Sequence, residues 1–111
     1  MVHKMSLAPR AFDAIASGRK TVEMRLYDEK RAKIKVGDEI EFENTENRRT
    51  IHCSVASLSR YDDFFDLYKN YDKTAIGYGD SEVANAEDMY EYYSIEQIHR
   101  YGVLAIEIKL L

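Results

Sequence analysis

The chain is poor in the residues that break or staple a fold, with one proline, five glycines and one cysteine in 111 positions. So little Pro and Gly leaves no linker and no low-complexity tract. With 45% hydrophobic residues, the chain reads as a single ordered domain over 1–111 with apolar material for one core. The lone Cys53 excludes an internal disulfide, and its place between Ile51 and Val55 in an alternating run makes it a packed thiol, as suits a reducing cytoplasm. Long apolar runs are missing too. His3, Lys4, Arg10 and Asp13 interrupt the N-terminal stretch, so neither a signal peptide nor a membrane span is expected.

Cationic excess is also absent. A net charge of -4 argues against sequence-blind coating of nucleic acid, which depends on a broad surplus of Lys and Arg. The total hides an asymmetry: residues 1–60 carry 12 Lys+Arg against 9 Asp+Glu, whereas residues 61–111 carry 4 against 11. No cofactor or metal motif is present. His3, His52 and His99 are scattered, no Cys/His pair has ligand spacing, and Gly77-Tyr78-Gly79 lacks the further glycines and the Lys of a phosphate loop. No metal and no cofactor are therefore expected.

What the chain does have is Ser17-Gly18-Arg19-Lys20-Thr21-Val22-Glu23-Met24-Arg25-Leu26. Read as a strand from Thr21, it sends Val22, Met24 and Leu26 to one face and Thr21, Glu23 and Arg25 to the other. Gly18 can end a preceding helix, so Arg19 and Lys20 form a turn that feeds the polar face. The fork of an Arg and the point charge of a Lys suit phosphate or the polar edge of a base, and Glu23 could accept from a base amino group. On that reading Glu23→Gln alters ligand selectivity more than stability. The bland alternative is a structural network in which Glu23 merely pairs with Lys20 or Arg25.

Along the rest of the chain, residues 2–7 alternate as a strand, and Pro9 to Gly18 has the apolar spacing and end signals of a helix. Residues 28–35 are too charged for core and read as a solvated turn or a basic lip. Gly37-Asp38 leads into an alternating strand at 39–43, and a hairpin returns through Thr50 to Tyr61. Asp62 is placed to cap a helix bearing Phe64, Leu67, Tyr68 and Tyr71. Residues 74–80 read as a mobile loop, and 82–93 as a further helix. Ser94 and Gln97 have capping-box spacing, Gly102 ends that turn, and 103–110 alternate as a closing strand expected to return beside the first. These elements make an α+β domain with a mainly antiparallel sheet.

The run from Leu7-Ala8-Pro9 through Phe12 and Ile15 to Gly18-Arg19-Lys20-Thr21-Val22-Glu23-Met24-Arg25-Leu26, followed by Val36-Gly37-Asp38 and the strand behind it, resembles the ASCH domain family. The likeness continues through Tyr90, Tyr92-Tyr93-Ser94 and Tyr101-Gly102-Val103. It implies a small, mostly antiparallel PUA-like β-barrel with flanking helices, and RNA or a nucleoside- or nucleotide-like ligand as partner. The expected cleft lies between the polar strand and loops near Tyr61 and Tyr78, with Arg19, Lys20, Glu23, Arg25, Tyr61 and Tyr78 in contact with the ligand. The resemblance also leaves open a hydrolase. Some members are amidohydrolases that use a Lys, a Thr three residues after it and a downstream Glu, and others are proposed to cleave RNA. Here Glu23 stands three after Lys20 and Thr21 one after, so Lys20, Thr21 and Glu23 are the catalytic candidates, with Asp80 or Glu82 as the downstream acid. A third class, docking of a basic protein partner by the acidic half, also stays open.

Overall fold

A computed structural model describes all of residues 1–111. In chain order it contains β1 (Val2–Leu7), α1 (Pro9–Ala16), β2 (Val22–Leu26), a 3-10 turn (Arg31–Lys33), β3 (Glu39–Asn44), β4 (Thr50–Tyr61), α2 (Phe64–Tyr68), a 3-10 segment (Ala86–Glu91), α3 (Ile95–Tyr101) and β5 (Val103–Leu110). The strands form one mixed sheet in the order β1-β3-β4-β5-β2 that curls into a half-barrel. Only β1 and β3 run parallel; the other three pairings are antiparallel.

The closing strand does not return beside β1. It lies between β4 and β2, and the reason is in its composition: Val103, Leu104, Ala105 and Ile106 are apolar at both parities and all buried, as a strand covered on two faces requires. Leu104, Ile106 and Ile108 join Met5, Phe12, Ile15, Ile40, Phe42 and Val55 in one core inside the curl. Val103 and Ala105 join Val22, Met24, Leu26, Phe64, Leu67 and Ile98 in a second core beneath α2 and α3. The material expected to fill one core is thus split by the sheet into two.

This split places the polar strand face. Glu23 pairs in register with Ile106 and Arg25 with Leu104, and residues directly opposite one another share a face. Glu23 and Arg25 therefore project into the concave side beside the first core, not into open solvent.

The connecting segments differ from the sequence reading in four places. Residues 74–82 form a strap where a mobile loop was expected over 74–80: Ile76 is buried, the Ala75 carbonyl accepts from the N–H groups of Thr21 and Val22 at 2.9 and 3.0 Å, and the Glu82 N–H donates to the Gly79 carbonyl at 3.1 Å. The helix expected over 82–93 contracts to the 3-10 segment, because Asn85 accepts from the Glu87 N–H and starts a separate turn; Val83 stays exposed. Asp63, one residue beyond the expected Asp62, caps α2 through the Asp66 N–H. The charged segment 28–35 is pinned by Asp28, which takes the Arg31 N–H and guanidinium, and it does carry one core residue, Ile34. The capping box at Ser94 and Gln97 forms with both reciprocal bonds, at 3.1 and 3.0 Å.

Candidate functional site

Between the concave end of β2, the start of α1, residues 76–82 of the strap and the Asp88–Tyr93 segment lies an open cleft of about 570 Å3. Lys20, Glu23 and Arg25 form its floor. Lys20 Nζ donates to Glu23 Oε1 at 3.0 Å, and the Met24 N–H donates to the same oxygen at 3.0 Å. Arg25 donates to Glu23 Oε2 from Nε at 3.2 Å and from Nη2 at 2.9 Å, and Nη2 also donates to the Ser6 carbonyl at 3.0 Å. Lys20 and Glu23 are 8% and 4% exposed, so these bonds form almost out of water, where charge-assisted contacts are strongest.

Burial by itself would raise the Glu23 carboxyl, but the charges of Lys20 and Arg25 and the bonds from both together bring it down to about 2. Burial alone would lower Arg25, and Glu23 outweighs this to raise it. The carboxylate is consequently ionised and spent: four donors occupy roughly the four lone-pair directions a carboxylate offers. These bonds are those of the network in which Glu23 pairs with Lys20 and Arg25, with its lone pairs taken by protein donors. Its partners are not spent. Lys20 uses one of three N–H donors, and the Nη1 group of Arg25 has no protein partner. One carboxylate thus orients two cations that both line the cleft and keep donors without a protein partner.

The strap seals Lys20 from one side. Gly77, at φ 111°, lies so close that an added Cβ would stand 3.2 Å from Lys20 Cδ, so a glycine permits both the turn and the approach. Tyr78 follows into the cleft. Its hydroxyl donates to Asp88 Oδ2 at 2.7 Å and stands 2.9 Å from the Tyr68 hydroxyl. Because Asp88 takes the Tyr78 proton, Tyr68 is the donor of the second bond. Burial, first of all, pushes both phenols above their ordinary value. At the far end Arg10, in the first turn of α1, pairs with Glu82, whose Oε1 also accepts from the Gly79 N–H at 2.6 Å. Tyr92 and Tyr93 complete the rim.

The expected residues divide. Lys20, Glu23, Arg25 and Tyr78 meet in the cleft, and of the two acid candidates Glu82 lines it whereas Asp80 does not. Arg19 is exposed and donates to Ser17 Oγ. Thr21 is also exposed and outside the lining; its backbone is tied to Ala75 and Ile108. Tyr61 is away from the cleft, packed on the second core with its hydroxyl donating to Tyr71 at 3.3 Å, because it leaves β4 on the side of Val103. Cys53 is fully buried, and burial pushes its thiol up to about 11, as befits packing rather than nucleophilic chemistry.

The sequence reading missed Arg10, Tyr68, Asp88, Glu91, Tyr92 and Tyr93 as cleft residues. The run Tyr90-Glu91-Tyr92-Tyr93 was the available signal: an amphipathic helix would use one of its tyrosines inward, not present two to a rim. No three His, Cys, Asp or Glu side chains group as a metal site, and no helix is long and apolar enough to cross a membrane.

Comparison with known proteins bears on the fold and the family. A crystal structure of hypothetical protein PH0355 matches at TM-score 0.84 and 30% identity, over 100% of both chains. The solution structure of protein PF0455 from Pyrococcus furiosus matches at 0.77 and 31% identity, over 100% of this chain and 98% of that one. The ASCH protein from Zymomonas mobilis shares the fold at 0.66 and 19% identity, over 97% of this chain and 66% of its own. No curated protein matches. The ASCH domain model matches residues 5–111, Lys20, Glu23 and Arg25 included, and the chain belongs to the ASCH domain family.

Proposed function

We propose that the cleft binds a nucleotide-sized unit of single-stranded RNA, or a free nucleoside-like ligand, through its oxygens. The observation that carries this reading is the set of unspent donors on Lys20 and Arg25, held in place by a carboxylate that is itself fully used. A fold needs such a network satisfied, not left with donors facing an open cavity. The cleft volume falls within the roughly 300–1,000 Å3 of small-molecule sites, and the tyrosine rim supplies π-faces on which a base can stack. In this reading Lys20 and Arg25 donate to base carbonyl or phosphate oxygens, Tyr92 and Tyr93 stack, and Glu23 positions the two cations. Asp88 and Glu91, on the acidic half, provide acceptors for a base amino group in place of Glu23. Of the hydrolase alternatives, the amidohydrolase scheme has less support, since its Thr21 is not among the residues that line the cleft; RNA cleavage by the Lys, Arg and Glu set does not depend on Thr21.

Titration of short single-stranded RNAs of varied sequence, and of the four ribonucleosides, against wild type and Lys20→Gln tests the reading. Lys20→Gln should weaken binding about tenfold, the loss of one charged donor. A circular-dichroism melt on each variant separates lost binding from lost folding. Because few phosphates are met, affinity should fall only modestly with salt. Equal binding by the two proteins would overturn the proposal.

A further inference from the structure

The Arg10–Glu82 contact joins the first turn of α1 to the end of the strap, 72 residues apart in sequence, across one end of the cleft. It is an odd contact to find there. The Arg10 side chain is 72% exposed and that of Glu82 35%, so the pair lies in water, where such pairs hold weakly. Glu82 is nonetheless held in a defined pose, because its side chain folds back to accept from the Gly79 N–H; that bond first, then Arg10, keeps its carboxyl below the usual range. On Arg10, Nε and Nη1 have no protein partner. The carboxylate of Glu82 therefore occupies the place at which Arg10 and the Gly79 N–H together would receive an external oxyanion.

Charge at the lining sharpens this. Arg10, Lys20 and Arg25 face Glu23, Glu82, Asp88 and Glu91, an excess of one negative charge. Glu23 is matched by its own partners, so Glu82 is the group whose removal leaves Arg10 unmatched and takes the lining from one net negative charge to none. A phosphate brings more charge than a carboxylate and oxygens that the guanidinium fork can take two at a time.

We infer that Arg10 and the Gly79 N–H form a phosphate subsite at the end of the cleft, occupied in the free protein by the Glu82 carboxylate, which a phosphorylated ligand displaces. This rests on the reading of the cleft as a nucleoside-sized site and adds to it that a ligand carrying phosphate is preferred over the bare nucleoside. Glu82 then acts as a tethered competitor: it lowers affinity for phosphate generally and admits only ligands that also engage Lys20 and Arg25.

Isothermal titration of the four ribonucleosides, their 5′- and 3′-monophosphates and the dinucleoside monophosphates tests the inference on wild type, Arg10→Gln and Glu82→Gln. At least one phosphorylated ligand should bind more tightly than its nucleoside. Glu82→Gln should widen that gap by about threefold to tenfold, and Arg10→Gln should close it, with nucleoside affinity unchanged in both. The dinucleoside arm distinguishes a chain phosphodiester from a terminal phosphate. A nucleoside that binds equally with and without phosphate in all three proteins overturns the subsite and leaves the cleft reading intact. If neither these ligands nor the short single-stranded RNAs bind wild type, the cleft reading fails. The subsite is then decided by pyrophosphate added to 15N-labelled Glu82→Gln: shifts at the Arg10 and Gly79 amides support it, and their absence overturns it.

Discussion

Arg25 donates from Nη2 to the backbone carbonyl of Ser6 at 3.0 Å, and so ties β2 to β1, the two edge strands of the sheet. In a closed barrel a ladder of backbone bonds would make this seam; here one guanidinium spans it, with Nη2 shared between Ser6 and Glu23 and Nε adding a second bond to Glu23. A Lys at this position keeps the charge but not the planar fork, and cannot serve both partners. Arg25→Lys should therefore cost about 1–3 kcal/mol in urea denaturation. Amide exchange in β1 should rise with it. Wild-type stability in this variant would mean that the seam is held by packing alone.

Glu23 makes the fold acid-sensitive. Its pKa in the folded protein, about 2, is below the ordinary 4.5, so its stabilisation is complete above pH 4.5 and is lost as pH falls toward 2. The shift corresponds to about 3 kcal/mol. Glu23→Gln should be destabilised by about 2–4 kcal/mol at pH 7, because the buried Lys20 and the partly buried Arg25 lose their counter-charge. Its stability should change less than wild type's between pH 4.5 and 2. Urea midpoints at pH 7, 4 and 3 measure both effects. The sequence-based expectation was that the substitution alters selectivity more than stability, and titrating the same variant with nucleosides decides between the two.

Gly77→Ala places a methyl group against Lys20 at a backbone angle that L residues rarely adopt. It should cost about 1–2 kcal/mol in stability. By moving Lys20 it should also weaken any ligand that this ammonium holds. A variant that melts early but binds normally would separate the strap from the site.

Tyr92 is 66% exposed at the cleft rim and stabilises little in the free protein. Tyr92→Ala should leave the thermal midpoint unchanged and reduce affinity for a base-containing ligand by about 1–2 kcal/mol, the value of one stacking contact. Substitution by Phe should restore it. Unchanged affinity in the Ala variant would remove Tyr92 from the stacking role.

Strand positions and the polar Lys20-Glu23-Arg25 set were legible because they follow from local periodicity. A period of two assigns faces to β2 whatever surrounds it, and the capping box at Ser94 and Gln97 is closed within four residues. The apolar face of β2 was legible as well, since Val22, Met24 and Leu26 do pack in the second core. The burial of Glu23 on the opposite face was not, because it depends on β5 lying beside β2 in the middle of the sheet, with residues apolar at both parities. The same limit explains Tyr61, whose side depends on a β4 pairing that includes a register shift between Val55 and Ser57.

By itself the sequence determined the elements and the chemical types available to a site, since propensity, capping and alternation act within a few residues. Tertiary structure alone decided that Glu23 is spent on two cations, and that Arg10, Glu82, Asp88 and Tyr92 share a cleft with them. Arg10 and Glu82 are 72 residues apart, and no local rule couples such positions. They meet because the sheet order brings the start of α1 and the strap to the same end of the half-barrel.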